Sequence, residues 1–515
     1  MNGAESLVRT LVSSGVNTCF SNPGTSEMHF VAATDQVDDM RTILCLFEGV
    51  ATGAADGYGR MKGSPAATLL HLGPGLANGL ANLHNARRAS TPIVNVVGDH
   101  ATYHKQFDAP LNSDVEGFAR PVSGWIHSST SAATVASDAA RAVAASMEGH
   151  GQIATLILPA DTAWDEAGGP APPLERPLLS APDPDAIMRA AVALSSKRSS
   201  ILLLGADALY GEGLRHAGRI AEATGARLFC PTSTPRRERG HGRVQVQPLR
   251  YFGEQIEEDL AGVQSMVVAG ARPPVSFFAY PGKASWLSPN DCEITYASQS
   301  HESAAMALGA LADELGAAAE PTALAAHKTQ LPADHDALNQ FTVGAVIAHE
   351  LPEGTIVSDE ATTSGIGPAL STQTAPPHEW LSLMGGSIGQ GLPLATGAAV
   401  ACPDRKTLCL HGDGGAMYTL QALWTQAREQ LDVTTVIFSN RAYAILAIEF
   451  GRVGVGAPGP NALSQLDLHN PDLDWVKLAE GMGVSASKST TVKEFREQFQ
   501  SAMKTRGPHL IEVEI

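Results

Sequence analysis

At 515 residues the chain is longer than one hydrophobic core usually organises, and its length calls for roughly two to four domains. Hydrophobic residues make up 44% and charged residues 17%, an ordinary globular balance, and a formal net charge of −18 argues against a nucleic-acid partner and an anionic membrane surface. The cysteines at 19, 45, 230, 292, 402 and 409 show neither a CxxC pair nor zinc spacing. There is also no basic–apolar–small leader and no apolar run of about 18 residues. The expectation is a reduced, cytoplasmic chain, neither secreted nor membrane-spanning.

Residues 1–167 alternate helical and strand patterns: ESLVRTLVSSG, NTCFSNPG, MRTILCLFEGVATGAADGYGRMKG, AATLLHLGPG, TPIVNVVGD. Such β-then-α repetition predicts a parallel sheet with helices on both faces. A linker rich in proline and acidic residues (168–186) leads into a second alternating segment, 187–320, with SSILLLGADAL, ARLFCPT and SMVVAGARPP as its strand patterns. After an Ala/Pro/His connector a third such segment covers 340–515. The predicted fold is three consecutive doubly wound α/β domains with parallel sheets. No repeat of solenoid period is visible. The basic stretch PRRERGHGR (235–243) reads as a solvated loop, with a phosphate or partner site as the alternative.

Within the third segment, TLCLH (407–411) ends in Gly412-Asp413-Gly414, an amphipathic helix pattern runs from about Tyr418 to Gln430, and VTTVIFS (433–439) ends at a turn beginning with Asn440. That order puts polar residues at the carboxyl ends of two parallel strands, where α/β sheets bind ligands. The Asp413 carboxylate, the Asn440 amide oxygen and the Ala442 carbonyl are hard oxygen donors, too few to enclose a metal unaided. They suit Mg²⁺, which completes its octahedron with phosphate oxygens and water.

Elsewhere, Glu48 stands where the apolar LCLF run enters an Ala/Gly-rich helix start, and a buried carboxylate there calls for a nitrogen partner. The Pro-Gly turn of SNPGTSE (21–27) would bring hydroxyls to a sheet's carboxyl end. His71 ends a strand, and a side chain titrating near neutrality suits proton transfer. SDEATT (358–363) closes the strand GTIVS, and MGGSIGQGLPLATG (384–397) offers glycines that permit close backbone approach.

These residues together resemble the thiamine diphosphate enzymes of the acetolactate synthase, benzoylformate decarboxylase and pyruvate decarboxylase type, over nearly the whole chain. GDG followed, across a helix and a strand, by an Asn-bearing turn is similar to that family's diphosphate motif. Most members carry Asn-Asn where this chain has Ser439-Asn440, and the second Asn is the ligand. The resemblance implies thiamine diphosphate and Mg²⁺ as cofactors, with Asp413, Asn440 and the Ala442 carbonyl on the metal. It places Gly414, Gly415, Ala416, Tyr443, Thr362 and Thr363 about the diphosphate or thiazolium. Gly386 matches the residue whose carbonyl meets the pyrimidine amino group, and Ile388 the apolar residue that bends the cofactor. Glu48, followed by small residues and ADGYGR, matches the glutamate that activates the aminopyrimidine. Asn22, Pro23, Gly24 and Thr25 match the loop with which benzoylformate decarboxylase reads its substrate carboxylate, and His71 matches that enzyme's relay histidine. His104 is the candidate substitute for a second histidine, expected in the middle domain where this chain has Phe277. In the family the cofactor joins the two domains across subunits, which implies a homodimer or homotetramer with interfacial active sites.

The chemistry expected from this resemblance is decarboxylation of a small-molecule 2-oxo acid, or carboligation, by a carbon–carbon lyase or transferase. Gly73-Pro74-Gly75 and residues 107–123 look like acetolactate synthase, whose catalytic subunit is the alternative. Those synthases usually carry Lys after RPVS or RPVT, and here Gly124-Trp125 follows. No FAD-binding pattern is visible in the middle segment, so FAD is not expected. A non-catalytic binding protein of this fold is a minor alternative, and would be expected to lose Glu48 or the metal ligands. A nucleotide-binding dehydrogenase would need the GxGxxG spacing that GDG lacks.

Overall fold

Short apolar, β-branched runs become the strands of three sheets in the computed structural model, which describes residues 1–196 and 198–515. The first sheet contains β1 (Thr18–Asn22), β2 (Arg41–Leu44), β3 (Ala66–Leu70), β4 (Ile93–Asp99), β5 (Trp125–Ser128) and β6 (Ile153–Pro159), in the order β2-β1-β3-β4-β6-β5, all parallel. The middle segment supplies β7 (Ser200–Leu204), β8 (Arg227–Cys230), β9 (Arg237–Arg239), β10 (Gln247–Pro248), β11 (Ser265–Ala269) and β12 (Glu293–Tyr296). Five of these pair in parallel as β10-β8-β7-β11-β12. The third sheet takes β13 (Ile356–Glu360), β14 (His378–Ser382), β15 (Thr407–Gly412), β16 (Val433–Ser439), β17 (Ser485–Ser489) and β18 (His509–Glu514), in the order β17-β18-β16-β15-β13-β14-β9. β3, β4, β6, β15 and β16 are buried along nearly their whole length because helices cover both faces.

The expected architecture holds, with two corrections. The third sheet is mixed, since β9 crosses from the middle segment and pairs antiparallel with β14 (Trp380 opposite Arg237, His378 opposite Arg239). The basic stretch expected as a solvated loop is therefore partly sheet, with Arg237 and Arg239 buried. They tolerate burial because the Arg239 guanidinium lies over the Trp380 ring at 4.6 Å and donates to the Ala369 carbonyl, while Arg237 Nη1 reaches Cys230 Sγ at 3.8 Å. Locally, the glycine turn after β15 is a short helix, Asp413–Ala416, and the amphipathic segment is helical only over Ala422–Arg428.

In each doubly wound sheet the connections reverse direction at one point, and the crevice there is the ligand site of such folds. In the first sheet this lies between β1 and β3, and in the third between β13 and β15. The middle sheet reverses between β7 and β11, but its crevice is closed by backbone. A Cβ on Gly205 would lie 2.2 Å from the Gly270 carbonyl oxygen. Beside it the Asp207 carboxylate accepts the Ser303 hydroxyl (2.6 Å) and the Ala304 amide (3.0 Å) at the start of the helix Ala304–Glu314.

The first and third segments share one core. Helix α1 (Glu48–Lys62) crosses helix α3 (Gly391–Ala401), every residue of which is buried, while α2 (Leu72–Ala89) packs on α1. Glycines set the crossing distance. A Cβ at Gly397 would lie 1.8 Å from the Ala54 carbonyl oxygen, and one at Gly57 would lie 2.0 Å from that of Leu394. Asp56, fully buried, accepts a bidentate pair from Arg60 (2.8 and 2.6 Å), and Arg60 donates onward to the Ser382 carbonyl of β14 (2.8 Å). Gly397→Ala is expected to cost about 1–3 kcal/mol by overpacking, seen as a lower denaturation midpoint that reports both segments together. Separate transitions for the two segments would contradict a shared core.

Candidate active site

The loop leaving β1 and the one leaving β3 meet at the first sheet's reversal point. His71 caps α2, and its ring lies so close to the first loop that a Cβ on Gly24 would fall 2.2 Å from Nδ1. Glu27 is buried, and its Oε2 accepts the Gly24 amide (2.8 Å) and stands 2.8 Å from His71 Nδ1. Ser26 Oγ is 3.3 Å from the same nitrogen. A carboxylate only accepts, so Nδ1–H donates to Glu27, and Nε2 of the mostly buried ring is left as the proton acceptor. Asn22 and Pro23 lead into this loop. Thr25 is exposed, with no side-chain hydrogen bond among the described residues.

Glu48 is the first residue of α1, where its charge suits the helix amino end. It is buried, and Oε2 accepts the Asn78 amide at 3.0 Å, the nitrogen partner that its burial requires. Asn78 begins a polar stripe on α2. Asn82 Nδ2 donates to the Gly49 carbonyl (2.8 Å) and to that of Gly389 (3.3 Å). Asn85 donates to the Ser387 carbonyl (2.7 Å) and accepts the Gly385 and Ser387 amides (3.1 and 3.2 Å). One helix therefore grips both the residue after Glu48 and the 385–389 loop of the third segment. Gly386 (φ +74°) is exposed on that loop, and Ile388 is half-buried. The loop is fixed from below by Glu360, whose carboxylate accepts the Gly389 and Gly391 amides, each at 2.6 Å.

At the third sheet's reversal point β13 ends beside Thr362, held at φ +49° with its hydroxyl exposed, and Thr363 follows. β15 ends at Asp413, which accepts the Gly414 amide (2.8 Å) and the Arg441 amide (2.7 Å). The second bond pulls the turn after β16 onto Asp413, with Arg441 left-handed at φ +52°. Asn440 Oδ1 accepts the Ala442 amide (3.1 Å). The strand-like contacts that follow run from the Leu468 amide to the Arg441 carbonyl and from the Tyr443 amide to the Leu466 carbonyl, leaving the Ala442 carbonyl out of both. A Cβ on Gly414 would lie 2.4 Å from the Tyr443 ring, and one on Gly415 would lie 3.1 Å from His411. Ala416 is fully buried behind them.

Burial pushes the Asp413 carboxyl above its ordinary range, against the backbone amides that favour the anion. No cationic side chain stands within salt-bridge distance of it among the described residues. A buried carboxylate beside an amide oxygen and a spare carbonyl is a donor set suited to a hard divalent cation. The hydroxyls of Thr362 and Thr363 and the amides of the Asp413–Ala416 turn add donors suited to phosphate.

His104 makes no side-chain hydrogen bond to these groups among the described residues. Its exposed ring packs on His100 (5.5 Å) and Phe107 (5.9 Å) in the loop after β4. Phe277 comes to the site instead, its ring 3.2 Å from where a Gly386 Cβ would sit. Sequence reasoning gave no role to Ser26, Glu27, Asn78, Asn82, Asn85 or Glu360. Glu27 was open to discovery as a carboxylate three residues after a turn glycine, the spacing of a capping box. The asparagines were open to it as an i, i+4, i+7 polar row on an apolar helix.

Comparison with known proteins fits this geometry. The thiamine pyrophosphate enzyme N-terminal TPP binding domain matches residues 1–119, and the C-terminal TPP binding domain of the same family matches residues 364–513. The chain belongs to the thiamine pyrophosphate enzyme family. It is 53% identical, over 100% of its length and 99% of the relative's, to the Mycobacterium tuberculosis protein named "Putative acetolactate synthase large subunit IlvX". It is 29% identical to benzoylformate decarboxylase of Pseudomonas aeruginosa, covering 97% of this chain and 96% of that one. The thiamine diphosphate-dependent 4-hydroxybenzoylformate decarboxylase of Rhodococcus jostii RHA1 superposes with a TM-score of 0.86 at 25% identity, covering 100% and 99% of the two chains. This thiamine pyrophosphate enzyme is thus of the acetolactate synthase and benzoylformate decarboxylase type, whose reactions cleave or form carbon–carbon bonds.

The thiamine pyrophosphate enzyme also carries a titratable group behind its Thr362 loop. Burial raises Asp359 from 3.8 to about 6, opposed by the Ala361 amide and by Arg237 and Arg239. Between those values the folded chain holds a proton that the unfolded chain has released, so stability falls as pH rises through that window. Asp359→Asn is expected to flatten this slope, measured as denaturation midpoints from about pH 4 to 7. An unchanged slope would place Asp359 outside the titration.

Proposed function

We propose that this enzyme decarboxylates 2-oxo acids with bulky apolar side chains and releases an aldehyde, or passes the acyl unit to a second carbonyl. The observation that carries this reading is the Glu27–His71 pair with Ser26 beside it, at the reversal point of the first sheet. The Phe277 ring against Gly386 supports an apolar acyl group, and the names of the benzoylformate and 4-hydroxybenzoylformate decarboxylases agree with it.

Thiamine diphosphate, held with Mg²⁺, supplies the electron sink for cleaving the bond between a carboxylate and a keto carbon. Asp413, Asn440 and the Ala442 carbonyl would hold the cation. Gly414, Gly415, Ala416, Thr362 and Thr363 would hold the diphosphate, with Tyr443 packed against that turn. Gly386, Ile388 and Glu48 would hold the ring system. Asn78 keeps the Glu48 carboxylate oriented in its buried setting. The hydroxyl of Ser26, with Asn22, Pro23, Gly24 and Thr25 shaping the loop, is suited to the substrate carboxylate. His71, with its Nδ1–H donated to Glu27, takes or delivers a proton at Nε2.

In this reading the domains are 1–167, 187–320 and 340–515, and flavin is not expected in the middle one. Free cysteines at all six positions accord with a cytoplasmic enzyme. We take the working form to be a homodimer or homotetramer. Large apolar side chains stand exposed in the segments that follow β4, β13 and β15: Tyr103, Phe107, Ile366, Leu370 and Tyr418. Light scattering on the holoenzyme is expected to give at least twice the chain mass, and Phe107→Asp with Leu370→Asp to shift it toward monomer. A monomer in the wild type would refute that assembly.

Acetolactate synthesis is the second reading, favoured by the 53% identity to the protein named for it. Product analysis with pyruvate and with phenyl-substituted 2-oxo acids, in added thiamine diphosphate and Mg²⁺, separates the two. Aldehyde from the bulky acids supports the proposal, and acetolactate from pyruvate alone overturns it. His71→Ala and Glu27→Gln are each expected to lower kcat by about a hundred- to ten-thousand-fold without altering cofactor affinity. Glu48→Gln is expected to abolish turnover.

A further inference from the structure

Helix α4 (Ala444–Arg452) begins immediately after Tyr443, so its root is the turn that carries Asn440 and Ala442. None of its residues is buried, and Leu446 and Ile448 are 46% and 45% exposed. Packing within its own segment therefore does not fix where it lies. Among the described residues, the side-chain hydrogen bonds that leave it go to the middle domain. Arg452 binds Glu254 with both nitrogens of its fork, at 2.6 and 2.9 Å, and Glu449 accepts the Tyr280 hydroxyl at 2.7 Å. The Arg452 guanidinium also lies over Phe252 (4.1 Å) and Tyr280 (4.8 Å). The ion pair is only partly exposed, at 18% for Arg452 and 35% for Glu254. Planar bidentate geometry on an aromatic floor makes it more than a surface contact.

The same aromatic floor continues into the site. Phe252 meets Tyr251 (5.1 Å), Tyr251 meets Phe277 (5.3 Å), and Phe277 touches the position of a Gly386 Cβ. Phe278 stacks edge-on against Phe277 at 4.8 Å, and both rings are more than half exposed. An arginine at the end of α4 is thus linked by contiguous contacts to the ring above the 385–389 loop, where the acyl side chain of a substrate would lie.

We infer that Arg452 is a positioning residue that sets acyl selectivity: clamped by Glu254 and the Phe252/Tyr280 floor, it holds α4 at a fixed distance from the Tyr251–Phe277–Phe278 wall. The gap between helix and wall is a slot for a flat or branched apolar acyl group. Breaking the clamp widens it, which costs contacts for a bulky acyl chain and changes little for a methyl. The inference rests on the decarboxylase reading above.

The test is a charge-swap cycle on the holoenzyme: Arg452→Glu, Glu254→Arg and the double variant, with Arg452→Met and Tyr280→Phe as milder probes. Each is assayed for kcat and KM on pyruvate and on a phenyl-substituted 2-oxo acid, and for thiamine diphosphate affinity by calorimetry. The single variants are expected to raise KM for the phenyl substrate on the order of tenfold, with kcat and cofactor affinity little changed and the bulky-over-small preference reduced by the same factor. The swap is expected to restore most of that loss. Equal KM changes on both substrates, or a double variant no better than the singles, would overturn the clamp. Wild type that binds cofactor but turns over no 2-oxo acid would instead sink the functional reading on which it rests.

Discussion

The molecule depends on the contact between α1 and α3, two helices that approach until carbonyl oxygens occupy the space a side chain would need. Gly57 and Gly397 are the condition for that approach, and the buried Asp56–Arg60 pair locks its rotation by reaching β14. An ion pair so deep adds little net stability, because desolvation offsets its attraction. Its use is orientation, since any sliding of the helices would strand a buried charge. Chain segments hundreds of residues apart are thereby held as one body, and the loops at their ends inherit that rigidity.

The site is built on this frame by polar side chains that bind backbone. Asn82 and Asn85 hold the 385–389 loop, Glu360 holds it from the other side, and Glu27 holds His71. Each is buried and each makes hydrogen bonds, although Glu27 Oε1 is left without a partner among the described residues. Asp413, like Glu360, accepts backbone amides, and among the described residues no cationic side chain stands within salt-bridge distance of it. A buried carboxylate of this kind is a donor suited to a divalent cation.

Much of this was legible in the residues because the relevant signals are local. Asp413 and Asn440 mark the ends of two adjacent parallel strands, and β16 runs over Val433–Ser439 as its pattern indicates. The start of α1 at Glu48 was legible from the Ala/Gly-rich run behind it, and the structure uses those small residues in the crossing with α3. What stayed hidden depends on contacts between distant segments. Nothing near Arg239 tells that Trp380 offers a ring to cover a guanidinium, so a charged run reads as solvated. Thr25 and Ser26 are chemically equivalent one position apart, and only the path of the chain after Gly24 decides which hydroxyl meets His71. Phe277, in a long loop without periodicity, acquires meaning from the glycine it faces.

β9 has a consequence for how the chain can be divided. Because a strand of the middle segment forms the rim of the third sheet, the three domains are stitched rather than strung, and the third is not whole without residues far upstream of it. A gene truncated to the carboxyl-terminal portion would leave the backbone of β14 unpaired along one side, an invitation to self-association. Recombination that exchanged the middle portion for another would have to bring a matching rim strand, so evolution is confined to trading these portions as an interlocked set.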